Sequence, residues 1–220
     1  MSVTEEIYAR MRASIESYDR DAAIAAAQDA VDAGLDPVAA VEEGFAVPIR
    51  ALGEAFDRME IFLPQLVMAA DAMKAGTTLF EGAAIREGRT LPKKGVVVLG
   101  TVEGDIHDIG KTIVAAMLQA NGYEVHDLGV EVPAPRFIQS AEEVGAQIIG
   151  MSALLSTTML FQRDVIGLLR NKGLQDKYFL LVGGAPVTQD WADEIGADAY
   201  ARDAVEAVKL LEARQKEWGS

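Results

Sequence analysis

The sequence predicts an N-terminal four-helix bundle followed by an α/β domain with a doubly wound, five-stranded parallel sheet. Residues 1 to about 88 are rich in Ala, Glu, Asp and Met, with apolar residues at helical spacing. The stretch EGRTLPKK (87–94) loses this period and gathers Gly, Pro and charge, which is typical of a linker. From residue 95, short β-branched runs alternate with amphipathic stretches. We therefore expect domains over 1–88 and 95–220, joined by a linker at 89–94.

The helical half divides at three breaks. Apolar residues recur at helical spacing in Ile7, Met11 and Ile15, and again further along the chain. Breaks are expected at 18–19, at 34–37, where Pro37 is placed to start the next helix, and at 61–64. These breaks leave four helices of bundle length.

The second half alternates strands with helices. GVVVLGT (95–101) is a continuous apolar run, and a helical stretch from Ile109 to Asn121 follows it and ends before Gly122. Apolar strands that alternate with helices predict a parallel sheet covered on both faces, and five such units fit the flavodoxin-like order. In that fold, ligands bind at the carboxyl ends of the strands. The expected strands are 96–101, 124–128, 148–152, 179–182 and 199–201, with a final helix from about Ala204.

Composition excludes several classes of function. The net charge of −14 disfavours binding to nucleic acid or to a membrane surface, so the expected partners are proteins or small molecules. The chain has no Cys, which excludes disulfides, thiolate metal sites and cysteine nucleophiles, and it has only two histidines, His107 and His126. No apolar run approaches the about 20 residues that span a bilayer, and the N-terminus lacks a signal-peptide pattern. We expect a cytoplasmic protein.

The loop after the first predicted strand, TVEGDIHDIGKT (101–112), allows two interpretations. Gly110-Lys111-Thr112 resembles the end of a phosphate-binding P-loop, but its distance from Gly104 is one residue too long, and no later strand ends in an Asp for Mg²⁺. Alternatively, Asp105 and His107 project the same way, and the carboxylate holds one imidazole nitrogen while the other binds a metal. An isolated Asp-x-His is more often a loop cap or a surface pair, so its context decides.

That context is Asp105-x-His107-x-x-Gly110, then Ser152-x-Leu154, then GG (183–184), each at the carboxyl end of a predicted strand. The set resembles the cobalamin-binding signature of corrinoid methyltransferases and mutases, a module shared with methionine synthase. FLPQLVMAADAM (62–73) looks like the helical cap domain of methyl-carrying members. The chain is most similar to the stand-alone corrinoid proteins of methylamine, methanol and methoxy-compound systems. GGAP (183–186) and WA (191–192) look most like the trimethylamine or glycine betaine branch.

The resemblance implies a cobalamin or related corrinoid, bound with its own lower base detached and with His107 as the lower axial ligand of cobalt. Asp105 would orient His107, so these two are the catalytic candidates. Gly110 would let the helix start approach the corrin and keep the loop tight, with Ile109 beside it. Ser152 would bond the displaced base, and Leu154 would line the channel of the nucleotide tail.

The remaining candidates follow from the same resemblance. Ser156, or a neighbouring hydroxyl at 157 or 158, would lie near the cofactor. Gly183 and Gly184 would let the tail pass against backbone, and Phe62 and Leu63 are candidates to cover the upper, methyl-carrying face. Phe62 and Leu63 could equally be core residues of the bundle. His126 matches no position of the pattern and receives no role.

The implied function is that of a methyl carrier. A substrate:corrinoid methyltransferase would load cobalt with a methyl group, the donor being a methylated amine such as trimethylamine or glycine betaine. A second methyltransferase would pass it to a thiol or to tetrahydrofolate, and a reductive activation protein would support the cycle. The chain is then a carrier subunit and not a complete enzyme. Two alternatives remain: a cobalamin-dependent sensor or regulator, and a flavodoxin-like domain that binds another ligand.

Overall fold

The computed structural model describes residues 2–86 and 93–218. The chain forms two compact units, a helical unit with the N-terminal helices and an α/β unit with all five strands. Residues 89–92 of the predicted linker lie outside the described part of the chain, so the linker bounds stay a prediction.

The helical unit follows the predicted breaks. Its helices are α1 Val3–Glu16, α2 Arg20–Asp32, α3 Pro37–Ala40, α4 Val47–Asp57 and α5 Leu63–Arg86. The side chains of Ser2, Asp19 and Asp36 accept hydrogen bonds from backbone N–H groups of the first turns of α1, α2 and α3, which explains where these helices begin.

The predicted third helix contains an irregularity. A π-helical segment, Val41–Ala46, joins α3 to α4 without a break in the chain's helical path. Pro48 follows directly in the first turn of α4. Because proline lacks an N–H and its ring clashes with the preceding turn, a regular α-helix cannot run through this position unchanged. The bundle prediction is confirmed, with a π-helical segment that periodicity did not indicate.

The core of the helical unit is built from the predicted apolar positions. Ile7, Met11 and Ile15 of α1 are buried. Phe45 and Phe80 meet edge to face with ring centroids 6.2 Å apart. Burial of one apolar face by each helix is the main source of stability in such a bundle.

The α/β unit contains a parallel sheet in the order β2-β1-β3-β4-β5, which confirms the flavodoxin-like topology. The strands are β1 Val96–Thr101, β2 Glu124–Asp127, β3 Ile148–Ser152, β4 Phe179–Gly183 and β5 Ala199–Ala201. The register pairs Thr101 with Ser152, Ser152 with Gly183, and Gly183 with Ala201. These residues therefore form one row across the carboxyl edge of the sheet.

Helices cover both faces of the sheet, as the apolar strands predict. They are α6 Ile109–Ala120, α7 Ala134–Val144, α8 Leu160–Asn171, α9 Gln189–Ile195 and α10 Ala204–Trp218. Leu180 and Val182 of β4 belong to the cluster formed with α7 and α8, whereas Leu181 between them belongs to a cluster with α10. Within residues 2–86 and 93–218, no helix is both long enough and apolar enough to cross a bilayer.

Candidate functional site

Asp105 lies at the centre of the candidate site, in the loop between β1 and α6, and it is fully buried. Its Oδ2 accepts hydrogen bonds from the Thr158 hydroxyl at 2.6 Å and from the Leu154 N–H at 2.7 Å. Its Oδ1 accepts the His107 backbone N–H at 3.1 Å and lies 2.7 Å from His107 Nδ1. Both carboxylate oxygens are thus engaged, and the loop after β1 is joined to the loop after β3.

The charge of Asp105 favours the imidazole tautomer with its hydrogen on Nδ1. Burial on its own raises the pKa of Asp105, but the hydrogen bonds from the Thr158 hydroxyl and the other donors outweigh it, so the pKa lies well below its ordinary value of 3.8. The ionised carboxylate accepts a hydrogen bond from His107 Nδ1–H, which leaves the lone pair on Nε2. The His107 side chain is 44% exposed. A neutral imidazole with a free Nε2 is the form that binds a metal.

Local backbone contacts position this loop. Gly104 has a φ of +76°, the left-handed conformation that favours glycine, and it turns the chain immediately before Asp105. The Asp105 carbonyl accepts the Glu131 N–H at 3.0 Å from the loop after β2. The Thr101 hydroxyl, fully buried at the end of β1, donates to the His107 carbonyl at 3.0 Å. The loop is therefore fixed by the end of its own strand, β1, and by the loop after β2.

Thr158 provides the hydroxyl that bonds Asp105, whereas the sequence pattern placed a hydroxyl near the cofactor at Ser156. Ser156 is exposed, and Thr158 is buried. The N–H groups of Thr158 and Met159 both donate to the Leu155 carbonyl, so the chain turns helically here and brings residue 158 back towards the sheet. The only sequence signal for Thr158 was the run of three neighbouring hydroxyls. A contact of Ser156 with a cofactor stays a prediction.

The end of β4 shows why two glycines follow each other. Gly184 has a φ of +126°, and a Cβ there would collide with the Ala153 carbonyl. A Cβ on Gly183 would lie 3.0 Å from the Ala201 carbonyl oxygen. The protein's own backbone thus requires glycine at 184, in addition to any ligand that passes there. Ser152 lies beside Gly183 in the register and is half-buried.

Gln162 of α8 is a structural residue that the sequence did not indicate. Its fully buried amide donates to the Met151 carbonyl at 3.0 Å and to the Gly183 carbonyl at 3.1 Å, and its Oε1 accepts the Trp191 Nε1–H at 3.0 Å. The residue therefore clamps the ends of β3 and β4 to α9. A Gln on the apolar face of α8 was the available signal.

Gly110 lies in the first turn of α6, and a Cβ built on it meets no atom within 4 Å. Its φ is not positive, so the expectation that Gly110 keeps the loop tight is not supported, and Gly104 makes the turn. The space beside Gly110 is open to a ligand. Large apolar side chains are exposed in the loops after β1, β2 and β3 and at the first residues of α6 and α8, at this edge of the sheet. An exposed apolar set of this size indicates a binding surface. They are Ile106, Ile109, Val130, Leu154, Leu155 and Leu160.

Lys111 and His126 each pair with a carboxylate. Lys111 is 3% exposed and forms an ion pair with Asp127 at the end of β2, so its ammonium group is not presented to a phosphate. His126 Nε2 lies 2.7 Å from Glu124 Oε1 on the edge strand. Among the described residues, no group of three or more His, Cys, Asp or Glu side chains could hold a metal ion.

The two cap candidates lie at the start of α5 in the helical unit. Phe62 is 78% exposed, and its N–H donates to Gln65 Oε1 at 2.8 Å. Leu63 is half-buried. The structure of this unit thus leaves the Phe62 ring without a place in the core, which favours the cap interpretation for Phe62 over the core one. The role of both residues at a methyl-carrying face stays a prediction.

A doubly wound domain with a carboxylate-held imidazole and an apolar rim at its ligand edge has the features of a corrin-binding module. The family model described as B12 binding domain matches residues 95–209, and a second model with the same description matches residues 7–81. The chain belongs to this family of B12-binding proteins. The donor groups present fit such a group, since His107 Nε2 is available to a metal and Gly110 leaves space beside it.

The sequence is similar to curated corrinoid proteins over nearly its whole length. It is 48% identical to dimethylamine corrinoid protein 2 of Methanosarcina acetivorans over 208 residues, which is 94% of this chain and 95% of that protein. It is 43% identical to trimethylamine corrinoid protein 1 of the same organism, covering 97% of this chain and 99% of the relative.

Solved structures agree with this. The methanol:cobalamin methyltransferase complex MtaBC from Methanosarcina barkeri matches with a TM-score of 0.85 and 33% identity, over 96% of this chain and 80% of that chain. The monomethylamine corrinoid protein of Methanosarcina barkeri matches with a TM-score of 0.53 and 34% identity, over 96% of this chain and 100% of that one.

Proposed function

We propose that this protein binds a corrinoid at the carboxyl edge of its sheet, with His107 as the lower axial ligand and the corrinoid's own base detached, and carries a methyl group on it. The observation that carries the proposal is the contact of 2.7 Å between Asp105 Oδ1 and His107 Nδ1, which leaves Nε2 as the metal-binding nitrogen. The exposed apolar rim around the same edge suits the flat, largely apolar face of a corrin.

The bound cobalt would supply the centre that accepts and releases the methyl group. The protein's own residues hold and orient it. His107 would bind the metal through Nε2, Asp105 accepts the hydrogen bond of Nδ1–H, and the donors on Asp105 Oδ2 prevent that carboxylate from rotating away. The imidazole would therefore present Nε2 in one direction, and the apolar rim would exclude water from the bound cofactor.

We place the detached base and its nucleotide tail along the row formed by Ser152 and Gly183. The sheet register sets these residues side by side at the edge of β3 and β4. Gly183 removes a side chain from that row, and Ser152 offers a hydroxyl that is half-buried. Leu154, 42% exposed, lies two residues after Ser152 in the loop that follows β3 and would line the tail's path.

The methyl donor we propose is a methylated amine, delivered by a substrate-specific methyltransferase. Two of the similar proteins are named for dimethylamine and trimethylamine, and one similar structure is named as a methyltransferase complex. A second methyltransferase would pass the methyl group to a thiol or to tetrahydrofolate. A reductive activation protein would reduce cobalt that has become oxidised and inactive. We place this cycle in the cytoplasm.

The binding mode is tested by electron paramagnetic resonance of the protein reconstituted with cobalamin and reduced to cobalt(II). The protein is prepared with natural nitrogen and again with ¹⁵N, while the cobalamin stays unlabelled. We expect a triplet splitting from the axial nitrogen that becomes a doublet in the labelled protein, because only a protein ligand carries the label. In the ¹⁵N-labelled protein, His107→Ala should lose the doublet. His126→Ala, which changes the chain's other histidine, should keep it.

A triplet that persists in the labelled protein would mean that the cofactor keeps its own base, and it would contradict the proposed ligand. The carrier role is tested separately by adding a methylamine methyltransferase with dimethylamine, trimethylamine or glycine betaine. We expect the bound corrinoid to become methylated with a methylamine and to be demethylated when a thiol-specific methyltransferase is added. A corrinoid that is bound but never methylated would favour a sensor or regulator.

A further inference from the structure

Thr101 has a hydroxyl whose contact is not explained by strand formation. It is the last residue of β1 and is fully buried. Its backbone N–H donates to the Gly129 carbonyl and its own carbonyl accepts the Val132 N–H, both at 3.0 Å, so the backbone is fixed without the side chain. The hydroxyl is therefore free to serve another group, and it donates to the His107 carbonyl at 3.0 Å.

This contact completes the fixation of His107. Asp105 Oδ1 holds the His107 backbone N–H and ring nitrogen Nδ1, so both contacts converge on one atom. Contacts that converge on one atom still allow the residue to pivot about that atom, and such a pivot would move the His107 carbonyl. Thr101 binds that carbonyl and removes the rotation, so the direction of Nε2 is determined by two independent anchors.

We infer that Thr101 is a positioning residue for the axial ligand, acting through the His107 backbone carbonyl. The inference rests on the proposed function, in which His107 binds cobalt. The hydrogen bond of its side chain is to that carbonyl, so Thr101 would act on the metal only through His107. Its hydroxyl keeps the imidazole nitrogen aimed at one place, so that less orientational freedom is lost when the metal binds.

The test compares Thr101→Val with Thr101→Ser in the cobalamin-loaded protein. Valine keeps the shape and removes the hydroxyl, whereas serine keeps the hydroxyl. Electron paramagnetic resonance measures the fraction of cobalt(II) that is bound to a protein nitrogen at each pH of a series. Protons compete with cobalt for the imidazole, so this fraction falls at low pH with a measurable midpoint. Loss of one hydrogen bond should weaken axial ligation about five-fold, the factor for about 1 kcal/mol, and raise the midpoint by about 0.7 pH unit. Serine should restore most of the wild-type midpoint.

Two controls separate this effect from general changes. Thr78→Val in α5 removes a hydroxyl that donates to a backbone carbonyl, that of Lys74, at 2.9 Å, and it should leave the midpoint unchanged. Ile149→Val in β3 weakens the buried core beside β1 and should lower the melting temperature without moving the midpoint. A shift in either control equal to that of Thr101→Val would make the effect one of stability and overturn the inference.

The outcomes distinguish the two proposals. If Thr101→Val shows the same protein nitrogen splitting as the wild type and the same pH midpoint of axial ligation, the role of Thr101 is overturned and His107 remains the ligand. No protein nitrogen splitting in the wild type overturns both. If Thr101→Val does not fold, nuclear magnetic resonance of the wild-type holoprotein decides: the Thr101 hydroxyl proton should exchange slowly and show a cross-peak to His107. Rapid exchange with solvent would overturn the inference.

Discussion

Asp105→Asn is the substitution that best tests the geometry of the site, because it can be measured without a cofactor. Asparagine has the same shape but only one acceptor oxygen, and its amide nitrogen is a donor. In the wild type the Asp105 side chain accepts hydrogen bonds from the Thr158 hydroxyl, from the N–H groups of Leu154 and Leu155, and from both His107 nitrogens. In either amide orientation, the nitrogen therefore faces donors.

The expected loss follows from the number of bonds. Asp105 Oδ1 accepts two hydrogen bonds, and Oδ2 accepts two short ones and a longer one from the Leu155 N–H at 3.4 Å, so turning one oxygen into an amide nitrogen removes at least two. Hydrogen bonds to a charged group contribute about 1.5–3 kcal/mol each. We expect the free energy of unfolding at neutral pH to fall by about 3 kcal/mol, the lower end of that range for two bonds.

The pH dependence gives a second, independent check. The pKa of Asp105 in the folded protein lies well below its ordinary value of 3.8. The carboxylate therefore contributes stability that is fully present above the unfolded pKa and is lost as the pH falls through the folded one. The difference in unfolding free energy between wild type and Asp105→Asn should be constant above about pH 5 and should shrink below about pH 4.

The assay is urea unfolding of the apoprotein, followed by circular dichroism over a pH series. Asp108→Asn is the matched control, since it makes the same change at an exposed position of the same loop and should have little effect. If Asp105→Asn is as stable as the wild type at pH 7, or if the difference does not change with pH, Asp105 is not the bonded carboxylate described above.

Three further substitutions test the remaining elements. Gly184→Ala should prevent stable folding, because its Cβ collides with the Ala153 carbonyl at a positive φ; a soluble variant that melts like the wild type contradicts this. Gly110→Ala should leave the apoprotein melting temperature unchanged or slightly raised. It should weaken cobalamin binding at least about ten-fold, because the added Cβ fills space that the ligand needs. Equal affinity of variant and wild type in a spectroscopic titration would show that no ligand approaches there. Gln162→Leu should cost about 3 kcal/mol by leaving buried polar partners unpaired. The exposed Gln139→Leu should cost little in the same denaturation experiment.

The elements of the fold could be predicted because their signals are local. Apolar runs that alternate with amphipathic stretches define the βα units, and the strand bounds differ from the predicted ones by a single residue in β2 and in β4. The Asp105–His107 pair was also predictable. The two residues are two apart in one loop that follows a strand, so both side chains are expected at the ligand edge of the sheet. The π-helical segment before Pro48 was not, because helical periodicity does not report one inserted residue.

What the tertiary structure alone decided are the contacts that join distant segments. The sequence offers three neighbouring hydroxyls after Ser152, and only the helical turn that begins at Leu155 brings Thr158, and not Ser156, to Asp105. Gln162 lies on the apolar face of α8, and only the register of the sheet shows that two strand-end carbonyls are within reach of its amide. Sequence spacing determines which residue types reach the ligand edge, but hydrogen bonds depend on distances of a few tenths of an ångström, and these are set by the packing of the sheet and its helices.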